Sequence, residues 1–509
     1  MSRRSDTMAP AVSRHSARRQ VFVIVAVGVA AFATRVIPYF SPGQITAVRE
    51  YDDGVMLGGA IAMLAGNAPY ADFFYLHPPG SLLMLLPAAA SSALLGEPGA
   101  MALARMSAIL VGVANTVLIA VLLRSRGAVA MLVGAGLYAT WPVVVATERT
   151  ILLEPVIVLG LFLALVLVRR RTTAAVVAAA VCLGLATTVK VWAIVDVAIL
   201  AVAVGATMGG RMLVRYVTAA AATITAVCLP FFLFDPAGMW TQVVLAQVRR
   251  AGTQASFPTR LGTMSLAQSV HAIDLRIPWQ FWLVLFVGLM IFAVLPLIQV
   301  VRKRTPVTQW SDASWWAVII VVHSVVILLG SGYFYHYAVW LLAPLCLSVG
   351  YSAGSVARVS GRVIIVSGLA AVLGMTTMGA MRHPGEPLES PAELAEWARS
   401  GDCIWSDASR LIAADALRRN LSNNCPMDID SFGAFLVLDS DVARSTDNFA
   451  ESTVWRRRQW SFLMHADGAI LPDDEVPKWF SARQGAEFER LFRTHVVLDE
   501  DGLWNRVPR

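Results

Sequence analysis

The sequence predicts a polytopic all-α membrane protein that carries a small extracytoplasmic α/β domain at its C-terminal end. Three observations predict this fold class. Of 509 residues, 57% are hydrophobic and 15% charged, and the mean hydropathy of +0.63 is too high for an ordinary soluble globule. About eleven apolar runs are long enough, or nearly so, to cross a bilayer. After residue 379 the composition changes sharply to turn residues and scattered charge.

The predicted crossings follow from the lengths of the apolar runs. They lie at residues 20–40, 104–123, 127–147, 152–168, 174–188, 191–208, 213–234, 279–301, 313–331, 336–354 and 361–379. A further run, 81–96, has only about sixteen residues against the roughly twenty that a span needs. If it lies along the membrane without crossing, and residues 1–19 are cytoplasmic, the arginine clusters between the later crossings all become cytoplasmic. We therefore predict a juxtamembrane helix at 81–96.

The same topology predicts three regions and one reactive face. Residues 1–19 form a cytoplasmic tail, 20–379 a transmembrane catalytic domain, and 380–509 an extracytoplasmic soluble domain. The acidic loop 41–80, the loop 235–278 and the tail all fall outside, so we expect a single active site on the outer face of the plasma membrane. The net charge of +7 comes from arginine clusters between apolar runs, which indicates positive-inside anchoring in lipid and no nucleic-acid partner.

The tail mixes two kinds of pattern. Short alternating runs at Phe432–Asp439 and Thr494–Asp501 are typical of strands, and the stretches 390–400 and 407–420 are typical of helices. Cys403 and Cys425 are the only cysteines in this region. In an oxidising compartment they favour a disulfide over two free thiols.

The first outer loop holds the strongest candidates for chemistry. Glu50, Asp52 and Asp53 lie just before a helix-forming stretch at 54–65. One acid there is explained as a helix N-cap. Two adjacent acids with a glutamate beside them leave at least one carboxylate unexplained. Asp52 or Asp53 is therefore a candidate general base for an attacking hydroxyl, and Glu50 a candidate substrate contact.

Two further outer-face residues suit a phosphate group. His77 opens a His-Pro-Pro-Gly turn, where it would donate to phosphate, ligate a metal ion, or serve only the turn. Lys190 is the only lysine among the first 300 residues of an arginine-using chain. Its ammonium suits a phosphate leaving group, and the alternative is an interfacial lysine that extends to the headgroups.

Other polar residues accompany these on the outer face. Arg249, Arg250 and Arg260 in the loop 235–278 are predicted to grip phosphate oxygens, or else to form a solvated face. The YFYHY segment supplies a second set, interpreted either as an interfacial aromatic belt or as contacts to sugar and lipid phosphate. Its members are Tyr333, Tyr335, His336 and Tyr337.

In order along residues 20–350, these motifs resemble the GT-C glycosyltransferases, in particular the branch of protein O-mannosyltransferases and lipid A aminoarabinose transferases. The shared features are the acidic first loop, the turn ending in proline, the Glu154-Pro155 pair, the lysine after a glycine-containing helix, and the tyrosine-rich segment before LLAP. By this resemblance Asp52 or Asp53 matches the catalytic acid and Glu154 the second acidic position. Lys190 matches a donor-side lysine. The chain departs from that branch at His77, where the aminoarabinose transferases have an acid and a lysine before the proline.

The resemblance implies an inverting transfer of a sugar from a polyprenyl-phosphate donor to a hydroxyl of an envelope glycan, lipid or protein. Mannose and arabinose are the sugars that it favours. It implies no certain cofactor, and a divalent cation (Mg, Mn or Ca) stays open, with His77 as the candidate ligand. Two other classes compete: a transporter or lipid flippase in which the acids line a path, and a non-catalytic subunit of cell-wall assembly.

Overall fold

The computed structural model describes residues 14–250, 255–265, 279–330, 332–354, 368, 403–446, 448–470, 496–498 and 503–506. Apart from residue 368, the predicted crossing 361–379 lies outside the described residues, as do the stretch 390–400 and parts of the loop 235–278.

Apolar helices, most of them long, build the first two thirds of the chain, and each overlaps a predicted crossing. They are Arg14–Val36, Gly80–Leu122, Ala128–Thr140, Pro142–Thr147, Glu154–Val168, Thr173–Val189, Ala193–Met208, Gly210–Phe234, Trp279–Arg302, Asp312–Leu329 and Ala338–Ala353. Within the described residues, five helices are long and apolar enough to cross a membrane, and four apolar helices are shorter. The chain is thus a helical membrane protein, as the composition predicts.

Shorter helices connect and cover these long ones. In the first part of the chain they are Tyr51–Leu64, Pro236–Trp240, Ala246–Arg249 and Phe257–Met264. In the C-terminal domain they are Ala408–Ala413, Leu417–Ser422, Ser431–Leu438, Ser440–Ala443 and Thr453–His465.

The 43-residue helix Gly80–Leu122 is two helices joined at a kink. Gly96 has φ +71°, in the left-handed region that favours glycine, and Pro98 follows it. Gly80 packs so closely on Thr188, two residues before Lys190, that a Cβ there would lie 2.3 Å from the threonine hydroxyl. At the kink, the backbone N–H of Glu97 donates to Asp415 of the C-terminal domain. Segment 80–95 thus contacts the helix Thr173–Val189 at one end and the C-terminal domain at the other.

Buried polar pairs fix the helices that support this face. Arg35 forms a fully buried ion pair with Glu148, which also accepts hydrogen bonds from Asn115 at 3.0 Å and Tyr138 at 2.6 Å. Charges inside a membrane domain require such partners. The cluster anchors the chain just before Arg149, at the mouth of the bundle.

The C-terminal domain contains a four-stranded sheet of order β1-β2-β4-β3. β1 (Ile404–Trp405) pairs in parallel with β2 (Gly468–Ile470), and β4 (Leu503–Arg506) pairs antiparallel with β2 and with β3 (Val496–Leu498). A disulfide joins Cys403 to Cys425. Together with the surrounding helices this is the α/β domain expected from the tail.

Two details of that domain differ from the sequence pattern. The alternating run Phe432–Asp439, expected as a strand, is the helix Ser431–Leu438, since the Asp430 carboxylate accepts the N–H of Gly433 at 2.7 Å and so starts a helix. The helical stretch 407–420 is divided where Asp415 adopts φ +56°.

The domain sits directly on the first outer loop. The N–H of Gly54 donates to the Ser409 hydroxyl at 3.0 Å, and a Cβ at Gly54 would lie 2.2 Å from the Ser409 nitrogen. The Glu97 carboxylate accepts the backbone N–H groups of Leu417 and Arg418 at 2.9 and 2.5 Å, capping the helix that starts there. The docked domain forms one wall of the cavity above the helix Tyr51–Leu64.

Candidate active site

A cavity of about 810 Å³ lies between the helical part and the C-terminal domain. Its walls come from residues 48–52, Leu76 and His77, Ala146, Arg149 and Thr150, Lys190, Arg250, residues 334–337 and several side chains of the C-terminal domain. Small-molecule sites span roughly 300–1,000 Å³. The cavity therefore has room for a sugar and a phosphate group together.

The adjacent acids Asp52 and Asp53 occupy different environments. Asp53 is fully buried, pairs with Arg105 at 2.6 Å, and accepts the N–H of Ile151 at 2.5 Å. Asp52 lines the cavity, and its carboxylate lies 3.8 Å from His336 Nε2. Successive residues on a helix are about 100° apart, which directs the two side chains to different sides. Of the two, only Asp52 is positioned to meet a substrate.

The electrostatics of the cavity favour a basic carboxylate. Removal from water raises the pKa of Asp52, against the opposing influence of His336 and Lys190. Burial also raises the pKa of Glu50, which lines the same cavity and accepts a hydrogen bond from the Tyr335 hydroxyl. A carboxylate with a raised pKa is a better proton acceptor near neutral pH.

Glu154, Lys190 and His336 form a buried cluster beneath Asp52. The Lys190 ammonium donates to the fully buried Glu154 carboxylate and lies 4.3 Å from the centre of the Tyr337 ring. His336 Nδ1 lies 2.9 Å from the other Glu154 oxygen. Glu154 thus orients the lysine and the histidine, and among the three it is Lys190 and His336 that line the cavity.

His77 lines the cavity as an uncharged imidazole at neutral pH. Burial, with a smaller contribution from Lys190, lowers its pKa to about 3. Its ring packs edge-to-face against the Tyr75 ring, with ring centroids 5.9 Å apart. Its backbone carbonyl accepts a hydrogen bond from the Tyr70 hydroxyl at 2.8 Å. A neutral ring in this position supplies hydrogen bonds and no net charge.

The three candidate arginines occupy three different environments. Arg249 is exposed, whereas Arg250 is 8% exposed and lines the cavity. The Arg250 guanidinium lies 5.1 Å from the ring centres of both Phe334 and Phe432, and its buried Nε and Nη2 have no hydrogen-bond partner among the described residues. Arg260 instead donates to the carbonyls of Ile327 and Gly330 at 2.9 and 2.6 Å, at the end of the helix Asp312–Leu329. Arg250 is the arginine of this set that faces the cavity.

The tyrosine-rich segment also divides. Tyr335, His336 and Tyr337 form one turn of 3₁₀ helix and line the cavity. The Tyr333 hydroxyl bonds to Thr263 beside Arg260, so this tyrosine joins the helix-end contacts.

Several cavity residues were not singled out from the sequence. Arg49 and Arg149 line the cavity next to Glu50, and Asp430 and Phe432 face it from the C-terminal domain. Arg149 lies in the segment 147–155, which the predicted topology assigns to the outer face, and that was the available signal. Nothing in the tail marked Asp430, because its position depends on how the two parts dock.

A divalent cation finds no ready cage among the described residues. No three His, Cys, Asp or Glu side chains within that part of the chain converge in a way that could hold a metal ion. His77 and Asp52 both line the cavity. The histidine that lies near the Asp52 carboxylate is His336, which also contacts Glu154. The chemistry proposed below uses side chains alone.

Comparison with known proteins yields distant structural likenesses. No protein-family model and no curated protein matches the sequence. The fold is similar to that of an Archaeoglobus fulgidus oligosaccharyltransferase complex with Zn and sulfate, with 12% identity and a TM-score of 0.49 over 77% of this chain and 57% of that chain. It is also similar to apo ArnT from Cupriavidus metallidurans, with 13% identity and a TM-score of 0.46 over 88% of this chain and 74% of that chain. Both are members of the GT-C superfamily.

Proposed function

We propose that this protein is an integral membrane glycosyltransferase that moves a sugar from a polyprenyl-phosphate donor to a hydroxyl group on the outer face of the plasma membrane. The observation that carries the proposal is that one cavity contains both a carboxylate and a buried cation. Asp52 offers a carboxylate that accepts no hydrogen bond from a described residue, and Arg250 offers a buried cation whose Nε and Nη2 lack partners. A base and an anion site in one cavity are what this reaction requires.

The reaction proceeds as a single displacement. Asp52 takes the proton of the acceptor hydroxyl while the hydroxyl oxygen attacks the anomeric carbon of the donor sugar. The bond from that carbon to the phosphate oxygen breaks, and the lipid phosphate leaves with the electron pair. Attack from the opposite side inverts the anomeric centre. Asp52 then releases its proton to solvent.

The leaving phosphate needs stabilisation as its charge develops. Arg250 presents free N–H groups from a fixed position between two aromatic rings, which suits a phosphate oxygen. The Lys190 ammonium and the neutral His77 ring line the same cavity. Because Glu154 already pairs with Lys190, we assign the principal phosphate contact to Arg250.

The rival functions fit the cavity less well. A transporter path would place its acids near mid-membrane, whereas Asp52 lies beneath the docked C-terminal domain. A non-catalytic subunit would have no use for a cavity that contains both a carboxylate and a buried arginine. The donors that we propose to test first carry mannose or arabinose, and the acceptor is an envelope glycan, lipid or protein.

The test is transfer by purified full-length protein in lipid nanodiscs, with a panel of polyprenyl-phosphate sugars and an envelope lipid extract as acceptor. We expect product from at least one donor, and a strong loss of donor affinity in Arg250→Gln. The exposed neighbour supplies the matched control, since Arg249→Gln should behave as the unmodified protein. No transfer from any donor by folded protein, or equal behaviour of the two variants, would overturn the proposal.

A further inference from the structure

A second cationic cluster occupies the cavity and has no role in the donor chemistry described above. It consists of Arg49 and Arg149, which both line the cavity. Arg149 is 9% exposed, and its buried Nη1 has no hydrogen-bond partner in the part of the chain that the structure describes. Arg49 donates to the Gln44 side chain at 2.6 Å, but its buried Nε likewise has no partner among those residues. Within the described part of the chain, neither arginine has a carboxylate at ion-pair distance.

Tyr39 contacts both residues of this cluster. The Arg49 guanidinium lies 5.1 Å from the centre of the Tyr39 ring, and the Tyr39 hydroxyl donates to the backbone carbonyl of Arg149. Two cations that line one cavity repel each other, and with Arg149 buried this arrangement is costly without a counter-charge. The nearby Glu50 accepts a hydrogen bond from the Tyr335 hydroxyl and forms no ion pair with either arginine within the described residues.

This cluster and Arg250 contact different parts of the cavity wall. The cluster lies against Tyr39. The Arg250 guanidinium instead lies against the rings of Phe334 and Phe432. The cavity therefore contains two separate cationic sites, and Asp52 lines the same cavity.

We propose that Arg49 and Arg149 bind a phosphate group of the acceptor, so that the acceptor is a phosphate-bearing molecule whose hydroxyl reaches Asp52. This inference rests on the proposed function, because it takes the Arg250 side to hold the donor. A polyprenyl-phosphate donor has a single phosphate group and cannot fill both sites. The second phosphate is only held, and no bond to it changes during transfer.

The experiment measures binding and needs no turnover. Isothermal titration calorimetry of the full-length protein in detergent uses farnesyl phosphate to fill the donor site, then glycerol phosphate to probe the second site. We expect glycerol phosphate to bind the protein that is saturated with farnesyl phosphate, and glycerol to give no signal. Because the proposed ligand is a phosphate ester, inorganic phosphate should compete only weakly. Competition between farnesyl phosphate and glycerol phosphate for one site would overturn the inference, without any variant being needed.

Variants assign the site. Arg149→Gln should weaken glycerol phosphate binding by about 10- to 100-fold, the loss expected for charge-assisted hydrogen bonds, while farnesyl phosphate still binds. Arg149→Lys keeps the charge and should retain most of the affinity. Arg250→Gln should show the reverse selectivity, and Arg249→Gln neither loss. Unchanged glycerol phosphate binding in Arg149→Gln contradicts this inference, whereas unchanged farnesyl phosphate binding in Arg250→Gln contradicts the donor site instead.

Discussion

Asp52 and Asp53 are consecutive residues, yet Asp53 is locked in a fully buried ion pair with Arg105 while Asp52 faces the cavity beside His336. Asp53 also accepts the N–H of Ile151 and thereby ties the first outer loop to the segment that carries Arg149 and Glu154. Asp53 thus stabilises the structure of the site, and Asp52 is available to contact a substrate in it.

This division predicts opposite effects of two similar substitutions. Asp53→Ala leaves Arg105 buried without its partner, and breaking a buried pair costs about 3–5 kcal/mol. Thermal unfolding in detergent should therefore show a large fall in Tm for Asp53→Ala. Asp52→Asn removes no ion-paired core group and should unfold close to the unmodified protein. Equal destabilisation by the two substitutions would contradict the assignment.

A second prediction concerns pH and the docking of the C-terminal domain. Burial raises the pKa of Asp430 to about 7, and the Tyr51 hydroxyl donates to its carboxylate at 3.1 Å. Since the folded pKa lies above the unfolded one, the folded state binds the extra proton between about pH 4 and pH 7. The contribution of Asp430 to stability is therefore greatest at low pH and is lost as the pH rises through about 7.

The measurement compares Tm values between pH 5.5 and pH 8. Asp430→Asn keeps an acceptor for Gly433 and Tyr51 but cannot ionise, so its Tm should rise relative to the unmodified protein as the pH increases. The control is Asp441→Asn, at a side chain that is 90% exposed. Parallel pH curves for the unmodified protein and Asp430→Asn would count against a raised pKa at this carboxyl.

A third prediction tests the juxtamembrane segment. Leu94 is 90% exposed near the kink, and Ser125 is exposed in the turn Arg124–Arg126. If the loop 41–80 is external and segment 80–95 does not cross, Leu94 is external and Ser125 cytoplasmic. In intact cells, an impermeant maleimide should therefore label Leu94→Cys and leave Ser125→Cys unlabelled until the membrane is opened. The reverse labelling is what a crossing segment would give, and it would contradict the juxtamembrane assignment.

Local sequence patterns predicted most of the helix positions but few of the contacts within the site. Apolar run length located the helices because each span must satisfy its own backbone hydrogen bonds. The acidic loop was found because clustered carboxylates beside lipid are expensive. The choice between Asp52 and Asp53, however, depends on Arg105 in a distant helix, which no local pattern reveals.

The same reason explains the other differences. Arg250 and Arg260 both lie in one basic loop, and only the folded chain shows that helix-end carbonyls engage Arg260. The run Phe432–Asp439 alternates like a strand, and the Asp430 cap outweighs that pattern. Asp430 and Phe432 enter the cavity because the C-terminal domain docks through Gly54 and Glu97, contacts between segments far apart in sequence.

The most direct test of the account is the rate of sugar transfer by Asp52→Asn in lipid nanodiscs. Asp72→Asn is the matched control, since this exposed acid of the same loop only caps the N–H of Ala68. Loss of a general base costs about 10² to 10⁴ in rate, so Asp52→Asn should lose at least a hundredfold with unchanged Tm and donor binding, while Asp72→Asn keeps its activity. Turnover by Asp52→Asn close to that of the unmodified protein would contradict the catalytic role of Asp52.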